Sequence, residues 1–412
     1  MTKPTRSCNF CGKDEFDVKK LIEGQAVYIC DECVHLCVDV LREDNFKVVG
    51  NTEGIPSPKS IKEFMDNYII GQDYAKMIVS VAVHNHYKRL ANPIIDDVEI
   101  EKSNILLLGP TGSGKTLFAQ TIARMLDVPF AIADATSVTE AGYVGDDVET
   151  IITRLLQAAD GDVAKCERGI VYLDEVDKKA KKGENMSTTR DVGGEGVQQA
   201  LLKIIEGSEV RVPPQGGRKN PQAEMVVVNT RNILFILGGA FVGLDDLIAG
   251  RVNKAASSIG FGAYLVDARG ASQINDLLRQ VQHEDLVKFG LIPELVGRLP
   301  VIAHLEELNE DQLIKVLTEP KNAVAKQYQK MFSLEDVELE FDAEALREIA
   351  KLAIARKTGA RGLRSVLDQR LTPVQYDLPE QREVGLTKVT ITKDVIENGA
   401  EPTRTFTEQK TA

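Results

Sequence analysis

The feature that most constrains the fold of this chain is a glycine-rich turn at residues 109–116, which reads Gly-Pro-Thr-Gly-Ser-Gly-Lys-Thr. It follows a short apolar run at 105–108 and opens a helical pattern that continues to Leu126. A turn of this type between a strand and a helix is a Walker A motif, whose backbone N–H groups surround phosphates at the helix N-terminus. The sequence therefore predicts a nucleotide site, and the residues expected to bind are Gly109, Pro110, Thr111, Gly112, Ser113, Gly114, Lys115, Thr116 and Leu117.

The polar side chains at this turn have separate expected roles. Lys115 is expected to neutralise phosphate charge, and the hydroxyl of Thr116 is expected to ligate Mg²⁺. A second apolar run at 170–173 ends in Asp174 and Glu175, which is the pattern of a Walker B motif. Asp174 would hold the Mg²⁺ shell, and Glu175 would orient and polarise the attacking water. Two solvated acids at a strand end are the alternative, but beside a Walker A motif the pair favours an ATPase.

Apolar runs that alternate with helical patterns indicate an α/β fold. A third strand is predicted at 233–237, and strands alternating with helices form a parallel sheet covered on both faces. Beyond residue 305 strand patterns become sparse, and helices are predicted at 311–331, 343–357 and 361–371, with a late strand at 389–391. This pattern predicts a large α/β domain at 61–305, a smaller and mostly helical domain at 306–397, and a frayed polar tail at 398–412.

Four cysteines near the N-terminus form two pairs with the spacing of metal ligands. Cys8 and Cys11 make the first pair, Cys30 and Cys33 make the second, and 18 residues separate the pairs. Such spacing predicts a structural zinc site with four thiolates, which stabilises a small module and leaves no open position for catalysis. Four free thiols are the alternative. The zinc-binding module is predicted at 1–43, and the glycine- and proline-containing segment 44–60 is predicted to be a linker.

Composition and charge exclude several functional classes. The chain has 412 residues and a net charge of −12, which disfavours bulk electrostatic binding to nucleic acid or to an anionic membrane. No apolar run approaches the roughly 18–20 residues of a membrane span, and the N-terminus has no secretory or organelle leader pattern. A cytoplasmic protein with neither nucleic acid nor membrane as a partner is therefore expected.

Several further segments, taken in order, resemble the ClpX family of ATP-dependent unfoldases in the AAA+ superfamily. The resemblance covers nearly the whole chain. It is carried by the cysteine pairs, by both Walker motifs, and by segments 68–72, 142–145, 196–203, 216–219, 259–262, 289–294, 297–300 and 358–363. The resemblance implies a homohexameric ring with a central pore, in which ATP binds between the large and small AAA+ domains and between neighbouring subunits.

The resemblance also implies roles for residues outside the Walker motifs. Arg298 resembles an arginine finger that acts on the next subunit's nucleotide, and Arg361 resembles the sensor-2 arginine of the small domain. A forked and permanently charged guanidinium suits the charge that spreads over a transferring phosphoryl group. Ile69 and Ile70 are expected to lie near the adenine. Members of the superfamily often have a polar sensor-1 residue after the strand at 233–237, but glycines follow here, so the sequence designates no such residue.

Three loops are implied to contact other proteins. Tyr143 and Val144 would line the pore, Arg190 would belong to a second pore loop, and Arg218 and Lys219 would attract the carboxylate of a degradation tag. The position after Lys219 is Asn220 where the family usually has histidine, which bears on tag preference. The tripeptide Ile259, Gly260 and Phe261 resembles the loop that docks on the ClpP peptidase. Without the resemblance, Tyr143 would be interpreted as a packed turn residue, and Ile259 with Phe261 as a small satellite core.

The function implied by the resemblance is an ATP-driven protein unfoldase and translocase. It would recognise tagged or unfolded proteins, with adaptor proteins as further partners, thread them through the pore and deliver them to ClpP. No serine or cysteine protease arrangement can be proposed from the sequence, so peptide cleavage is assigned to the partner. The alternatives are an AAA+ nucleic-acid motor, which the negative charge disfavours, and a remodelling chaperone that works without a peptidase.

Overall fold

The computed structural model describes residues 6–14, 16–24, 27–34, 36–37, 55–92, 100–139, 147–181, 194–213, 225–256, 271–356 and 358–407. The strands are β1 (Leu21–Glu23), β2 (Tyr28–Cys30), β3 (Ile105–Leu108), β4 (Phe130–Asp134), β5 (Ile170–Asp174), β6 (Glu209–Val212), β7 (Val226–Asn229), β8 (Leu234–Gly239), β9 (Val301–His304), β10 (Glu338–Phe341), β11 (Leu386–Ile391) and β12 (Thr403–Phe406).

The helices from residue 58 onward are numbered in chain order. They are α1 (Pro58–Asp66), α2 (Asp73–Ala91), α3 (Lys115–Leu126), α4 (Val148–Ala158), α5 (Val163–Cys166), α6 (Glu195–Glu206), α7 (Leu244–Ala256), α8 (Ala271–Leu278), α9 (His283–Phe289), α10 (Pro293–Gly297), α11 (Glu310–Thr318), α12 (Val324–Leu334), α13 (Ala343–Ala355), α14 (Ala360–Glu383) and α15 (Lys393–Asn398). Short 3₁₀ helices follow β4, β5 and β7 at Ala135–Ser137, Val176–Lys179 and Thr230–Asn232.

A parallel sheet of five strands, in the order β4-β5-β8-β3-β9, organises the large domain. Every residue of β3 and β8 is buried, as expected for strands that are covered on both faces. The predicted α/β fold with a parallel sheet is confirmed. Because parallel strands end at one edge of a sheet, the turn after β3 and the acids that follow Leu173 on β5 meet at the same edge.

The strand predicted at 233–237 extends further than the sequence pattern indicated. It includes both Gly238 and Gly239, which pair with Leu107 and Leu108 of β3. Glycine weakens a strand on average, but it is common where another group approaches closely. The added pairing carries β8 up to the edge of the sheet where the Walker motifs lie.

The C-terminal domain has a hydrophobic cluster of its own, from Leu313 to Ile396. Several of its predicted features were wrong. The single helix expected at 311–331 is two helices, α11 and α12, because Pro320 between them has no N–H to continue the first. Residues 403–406, within the tail that was expected to fray, instead form β12 and pair antiparallel with β11.

A small sheet of β10, β11 and β12 therefore accompanies the predicted helices of this domain. Strand β10 has the sequence Glu-Leu-Glu-Phe. Its polar and apolar residues alternate, but four residues are too few to distinguish a strand from a helix by periodicity alone. Helix α14 also continues past Leu371, where it was predicted to end, and includes Pro373 and Pro379. Local patterns thus identified the elements of the helical core but missed two of the three strands.

The cysteine module is built around a hairpin. Strand β1 lies between the two cysteine pairs and pairs antiparallel with β2, which ends at Cys30, opposite Leu21. Cys8, Cys30 and Cys33 are buried against Val18, Leu21 and Ile29. Such a core is too small to stabilise a fold by apolar burial alone. None of the helices in the described part of the chain combines the length and apolar character that a membrane span requires.

Candidate functional site

The turn after β3 has the backbone geometry of a phosphate cradle. Gly109, Gly112 and Gly114 have φ values of +154°, +81° and +99°, in the region that favours glycine. Gly114 is the N-cap of α3, and no side chain accepts a hydrogen bond from the first turn of that helix. The N–H groups and the positive end of the helix dipole are therefore presented to an anion.

Lys115 is buried beneath this turn. Its Nζ donates hydrogen bonds to the carbonyl oxygens of Gly109 and Pro110 over 2.6 and 3.0 Å. Burial lowers the pKa of the ammonium, and the negative charges of Asp174 and Asp177 oppose that shift. A phosphate oxygen offers a stronger, charge-assisted partner than either carbonyl, so Lys115 is placed to exchange one for the other.

The Walker B acids lie opposite the Walker A helix. The Thr116 hydroxyl donates to Asp174 Oδ2 over 3.5 Å, while Asp174 Oδ1 accepts from Tyr172 Oη and from the Glu175 backbone N–H, each at 3.0 Å. The structure thus brings together the two oxygen ligands expected for Mg²⁺. Hard cations of this kind prefer such oxygen donors.

Glu175 occupies a strained backbone position. Its φ and ψ are +55° and +34°, which is the left-handed region that non-glycine residues seldom adopt. Strand β5 ends at Asp174, directly before this residue, and the Glu175 side chain is exposed. Backbone strain of this kind clusters at functional sites, and an exposed carboxylate beside the phosphate cradle can reach a water molecule there.

The C-terminal domain closes one side of the cradle. A Cβ at Gly112 would lie 2.4 Å from the Thr358 carbonyl oxygen and 3.1 Å from the Gly359 Cα. The Ala360 N–H donates to the Gly112 carbonyl over 3.3 Å. Arg361 follows directly at the start of α14, and its positive charge contributes to the lowered pKa of Lys115, after burial. The structure therefore brings Arg361 to the phosphate site.

Ile69 and Ile70 lie on the turn between α1 and α2. Ile69 is buried, and its carbonyl accepts from the buried Lys76 Nζ over 2.6 Å. The side chain of Gln72 then binds the backbone of Glu306, because its Nε2 donates to the carbonyl and its Oε1 accepts from the N–H, both over 2.8 Å. The turn is thus fixed to the segment that follows β9. The adenine is expected beside this turn.

Arg298 lies at the other edge of the sheet. It precedes β9, whose first residue, Val301, pairs with Ile105 at the start of β3. The Asn104 Nδ2 donates to the Arg298 carbonyl over 3.0 Å, which fixes the backbone. The guanidinium is exposed and pairs with Glu206 of α6 over 2.9 Å. Because the phosphate cradle follows the other end of β3, the structure does not bring Arg298 to the nucleotide site of its own chain.

The contacts of two polar side chains beside the site were not foreseen from sequence. The buried Gln198 donates to the carbonyls of Lys179 and Gly290 over 2.8 and 3.2 Å and accepts from the Ile292 N–H over 2.8 Å. It therefore joins the segment after the Walker B acids to the segment that leads to Arg298. The buried Asp177 accepts from the Ala240 N–H over 3.2 Å, beyond β8. Only the spacing of Asp177 from Asp174 could have indicated it.

This arrangement fits ATP and Mg²⁺. The P-loop backbone and Lys115 would hold the phosphates, and Thr116 and Asp174 would hold the metal, which would add positive charge against the phosphate oxygens. Glu175 is the carboxylate placed to orient water. Leu117 is exposed on the first turn of α3. Residues Tyr143, Val144, Arg190, Arg218, Lys219, Asn220, Ile259, Gly260 and Phe261 lie outside the described residues.

The four N-terminal thiols form a metal site by geometry. The Sγ atoms of Cys8, Cys11, Cys30 and Cys33 all lie within 4.8 Å of one another. The Cys30 N–H donates to the Cys8 sulfur over 3.3 Å, and the Cys33 N–H donates to the Cys30 sulfur over 3.4 Å. Burial raises the pKa of Cys33 and opposes the charged form of Cys8, whose pKa backbone N–H groups nevertheless lower to about 6. Four convergent sulfurs suit tetrahedral Zn²⁺.

We expect zinc removal to unfold this module. Its core is too small without the roughly 10–16 kcal/mol of apparent binding energy that a structural zinc supplies. Metal analysis of the full chain should find one zinc ion per chain, and Cys11→Ser should abolish it. Cys37→Ser is the matched control, because Cys37 lies outside the cluster of four thiols. Hydrogen exchange that stays slow at residues 6–34 after chelation would contradict the prediction.

Comparisons with known proteins agree with both sites. The family described as AAA domain (Cdc48 subfamily) matches residues 100–302, and the ClpX C4-type zinc finger family matches residues 6–43. Residues 308–391 match the family described as the C-terminal, D2-small domain, of ClpB protein. The ATP-dependent Clp protease ATP-binding subunit ClpX of Treponema denticola is 50% identical over 409 residues, which cover 98% of this chain and 97% of that protein.

Proposed function

Because this chain belongs to the ClpX family, we propose that it is an ATP-driven protein unfoldase and translocase. The observation that carries the proposal is the nucleotide site made by two domains. Lys115, Thr116 and Asp174 meet at the edge of the large-domain sheet, and the turn at Gly359 lies against Gly112. Nucleotide in such a site can bias the orientation of the two domains, which is how hydrolysis performs mechanical work.

The proposed assembly is a homohexameric ring. Arg298 supports a ring because it is exposed at the edge of the sheet away from the phosphate cradle of its own chain. An arginine finger in that position is useful only to a neighbouring copy. We assign the domains as 1–43, 61–305 and 306–397, with 44–60 as the linker. The segment predicted as a tail, 398–412, contributes β12 to the sheet of the C-terminal domain.

The proposed partners are protein substrates and a ClpP-type peptidase. The relative from Treponema denticola is named as the ATP-binding subunit of a Clp protease, which supports a division of labour between an ATPase and a peptidase. Tyr143 and Val144 would grip the substrate, Arg190 and Arg218 with Lys219 would line its path, and Ile259, Gly260 and Phe261 would dock on the peptidase. A nucleic-acid motor is not favoured, because the family and the net charge of −12 both argue against it.

The decisive experiment is the ATP-dependent unfolding of a stable fluorescent reporter that carries a C-terminal degradation tag. With ATP alone, fluorescence should fall slowly and partly recover, because the released reporter refolds. With ClpP added, the loss should become irreversible. The untagged reporter is the control for recognition. If fluorescence is lost equally without ATP, or never lost with it, the proposed function is wrong.

We expect Phe261→Ala to separate unfolding from degradation. One buried aromatic side chain contributes about 1.5–3 kcal/mol, and several loops on one ring multiply the affinity by about 10²–10⁴. The variant should therefore lose ClpP-dependent proteolysis while its ATPase and its unfolding without ClpP remain. Tyr264→Ala, an aromatic truncation three positions further along, is the matched control. Normal ClpP binding by Phe261→Ala would reject the docking assignment.

A further inference from the structure

Tyr172 is a buried tyrosine on the Walker B strand. It lies two residues before Asp174 on β5, and residues two apart on a strand share a face. Its ring is fully buried, and its Oη donates to Asp174 Oδ1 over 3.0 Å. An ionised carboxylate has no proton to donate, so the phenol is the donor of this hydrogen bond.

The two oxygens of Asp174 have different partners. Oδ1 accepts from the Tyr172 hydroxyl and from the Glu175 N–H, both over 3.0 Å. Oδ2 faces the Thr116 hydroxyl at 3.5 Å, a long contact. Two good hydrogen bonds therefore fix Oδ1. Oδ2, which faces Thr116, remains available to bind Mg²⁺.

The end of the neighbouring strand is shaped around the same hydroxyl. A Cβ at Gly238 of β8 would lie 2.2 Å from Tyr172 Oη and 2.8 Å from its Cζ. A side chain at position 238 therefore cannot coexist with the phenol. This is the part of β8 where AAA+ proteins often have a polar sensor-1 residue, and the tyrosine of β5 occupies the space such a residue would need.

We propose that Tyr172 is the positioning residue that fixes the orientation of the Asp174 carboxylate, and that its hydroxyl supplies from β5 the polar group that β8 lacks at Gly238. In this role the hydroxyl acts through its hydrogen bond to Asp174. By holding Oδ1 it keeps Oδ2 toward Thr116, and by sharing Oδ1 with the Glu175 N–H it supports the strained turn that presents Glu175. The proposal rests on the proposed function, because it assigns a role within that ATP site.

The test is Tyr172→Phe in the full chain, which keeps the ring and removes only the hydroxyl. Loss of such an outer contact to a metal ligand typically weakens metal affinity or activity by about 10–100-fold. We expect the Mg²⁺ concentration for half-maximal ATPase to rise by about ten-fold or more. An equilibrium readout should agree: in the Glu175→Gln background, Mg²⁺-dependent binding of a fluorescent ATP analogue should need correspondingly more Mg²⁺. Binding of the analogue without metal should be unchanged.

The chain offers a matched control. Tyr328 is also buried, and its hydroxyl donates to Asp368 in the C-terminal domain. Tyr328→Phe therefore removes the same chemical group from the same type of pair, away from the nucleotide site. It should lower the melting temperature without changing the Mg²⁺ dependence. Equal Mg²⁺ shifts in the two variants, or no shift in Tyr172→Phe, would show that the Tyr172 hydroxyl is only structural.

A second variant, on the neighbouring strand β8, displaces the Tyr172 hydroxyl without removing it. Gly238→Ala places a methyl group where it must displace the phenol, so it should reproduce the increased Mg²⁺ requirement while Tyr172 is still present. If a folded Gly238→Ala protein has the same Mg²⁺ dependence as the unsubstituted protein, the proposal is wrong.

The outcomes also separate the proposal for Tyr172 from the proposed function. If the unsubstituted protein neither hydrolyses ATP nor unfolds the reporter, the proposed function fails. If the parent works and neither variant shifts the Mg²⁺ dependence, only the role of Tyr172 fails.

Discussion

Glu175→Gln should reduce ATP turnover by orders of magnitude while ATP binding and ring formation persist. Glutamine keeps the size of the side chain and removes the charge that polarises water. The P-loop and Lys115 are untouched, since the contacts of Lys115 run to Gly109 and Pro110. Steady-state phosphate release measures turnover, and equilibrium binding of a fluorescent ATP analogue measures retention of the site.

The control for this change is Glu380→Gln, an isosteric neutralisation on the exposed side of α14. It should hydrolyse ATP as the parent does. Near-normal hydrolysis by Glu175→Gln would mean that another group orients the water, and the assignment of Glu175 would have to be abandoned. A loss of nucleotide binding would instead show that the strained turn at this position is needed to build the site.

Arg298→Ala should reduce the hydrolysis rate by about 10³–10⁵-fold, the range found for arginine fingers in phosphoryl transfer. Because the arginine lies at the far edge of its own sheet, we expect it to act on the neighbouring subunit. Mixing Arg298→Ala subunits with Glu175→Gln subunits should then restore some ATPase, since one interface in the mixed ring combines an intact Glu175 with an intact Arg298. Each variant alone should remain inactive.

Arg347→Ala is the control for removal of an exposed, paired arginine. The Arg347 guanidinium pairs with Glu310 over 3.5 Å in the C-terminal domain, and removing it should leave ATP turnover unchanged. Subunit exchange must be verified by energy transfer between labelled subunits. With exchange established, an absence of recovered ATPase would indicate that Arg298 acts within its own chain or is structural. Pairing with Glu206 would then be its main role.

The parts of the site that sequence could predict are those encoded within a few consecutive residues. The P-loop was predictable because Gly112, Gly114 and Lys115 have the fixed spacing of the motif. The backbone conformation at the two glycines is one that few other residues can adopt. Strand β5 was predictable because its apolar run ends abruptly in Asp174 and Glu175. The cysteine cluster was predictable because two short pairs at that spacing have few other uses.

The parts that sequence did not reveal depend on residues far apart in the chain. The approach of Gly112 to the Thr358 carbonyl, the binding of Glu306 by Gln72, and the Gln198 contacts are tertiary, so no local pattern encodes them. The sequence places Tyr172 on the same strand face as Asp174, but it does not show that Gly238 of β8 leaves space for the phenol. That inference needed the register of β5 against β8, which only the fold supplies.

The contact between Gly112 and the start of α14 has a mechanical consequence. The helix spans Ala360–Glu383, which at 1.5 Å per residue is about 36 Å from the P-loop to its far end. A tilt of about 10° at the nucleotide would displace that far end by about 6 Å, which is close to one turn of helix or two residues of extended chain. The helix can therefore act as a lever arm, so that a small rotation at the P-loop becomes a displacement of several ångströms at its far end.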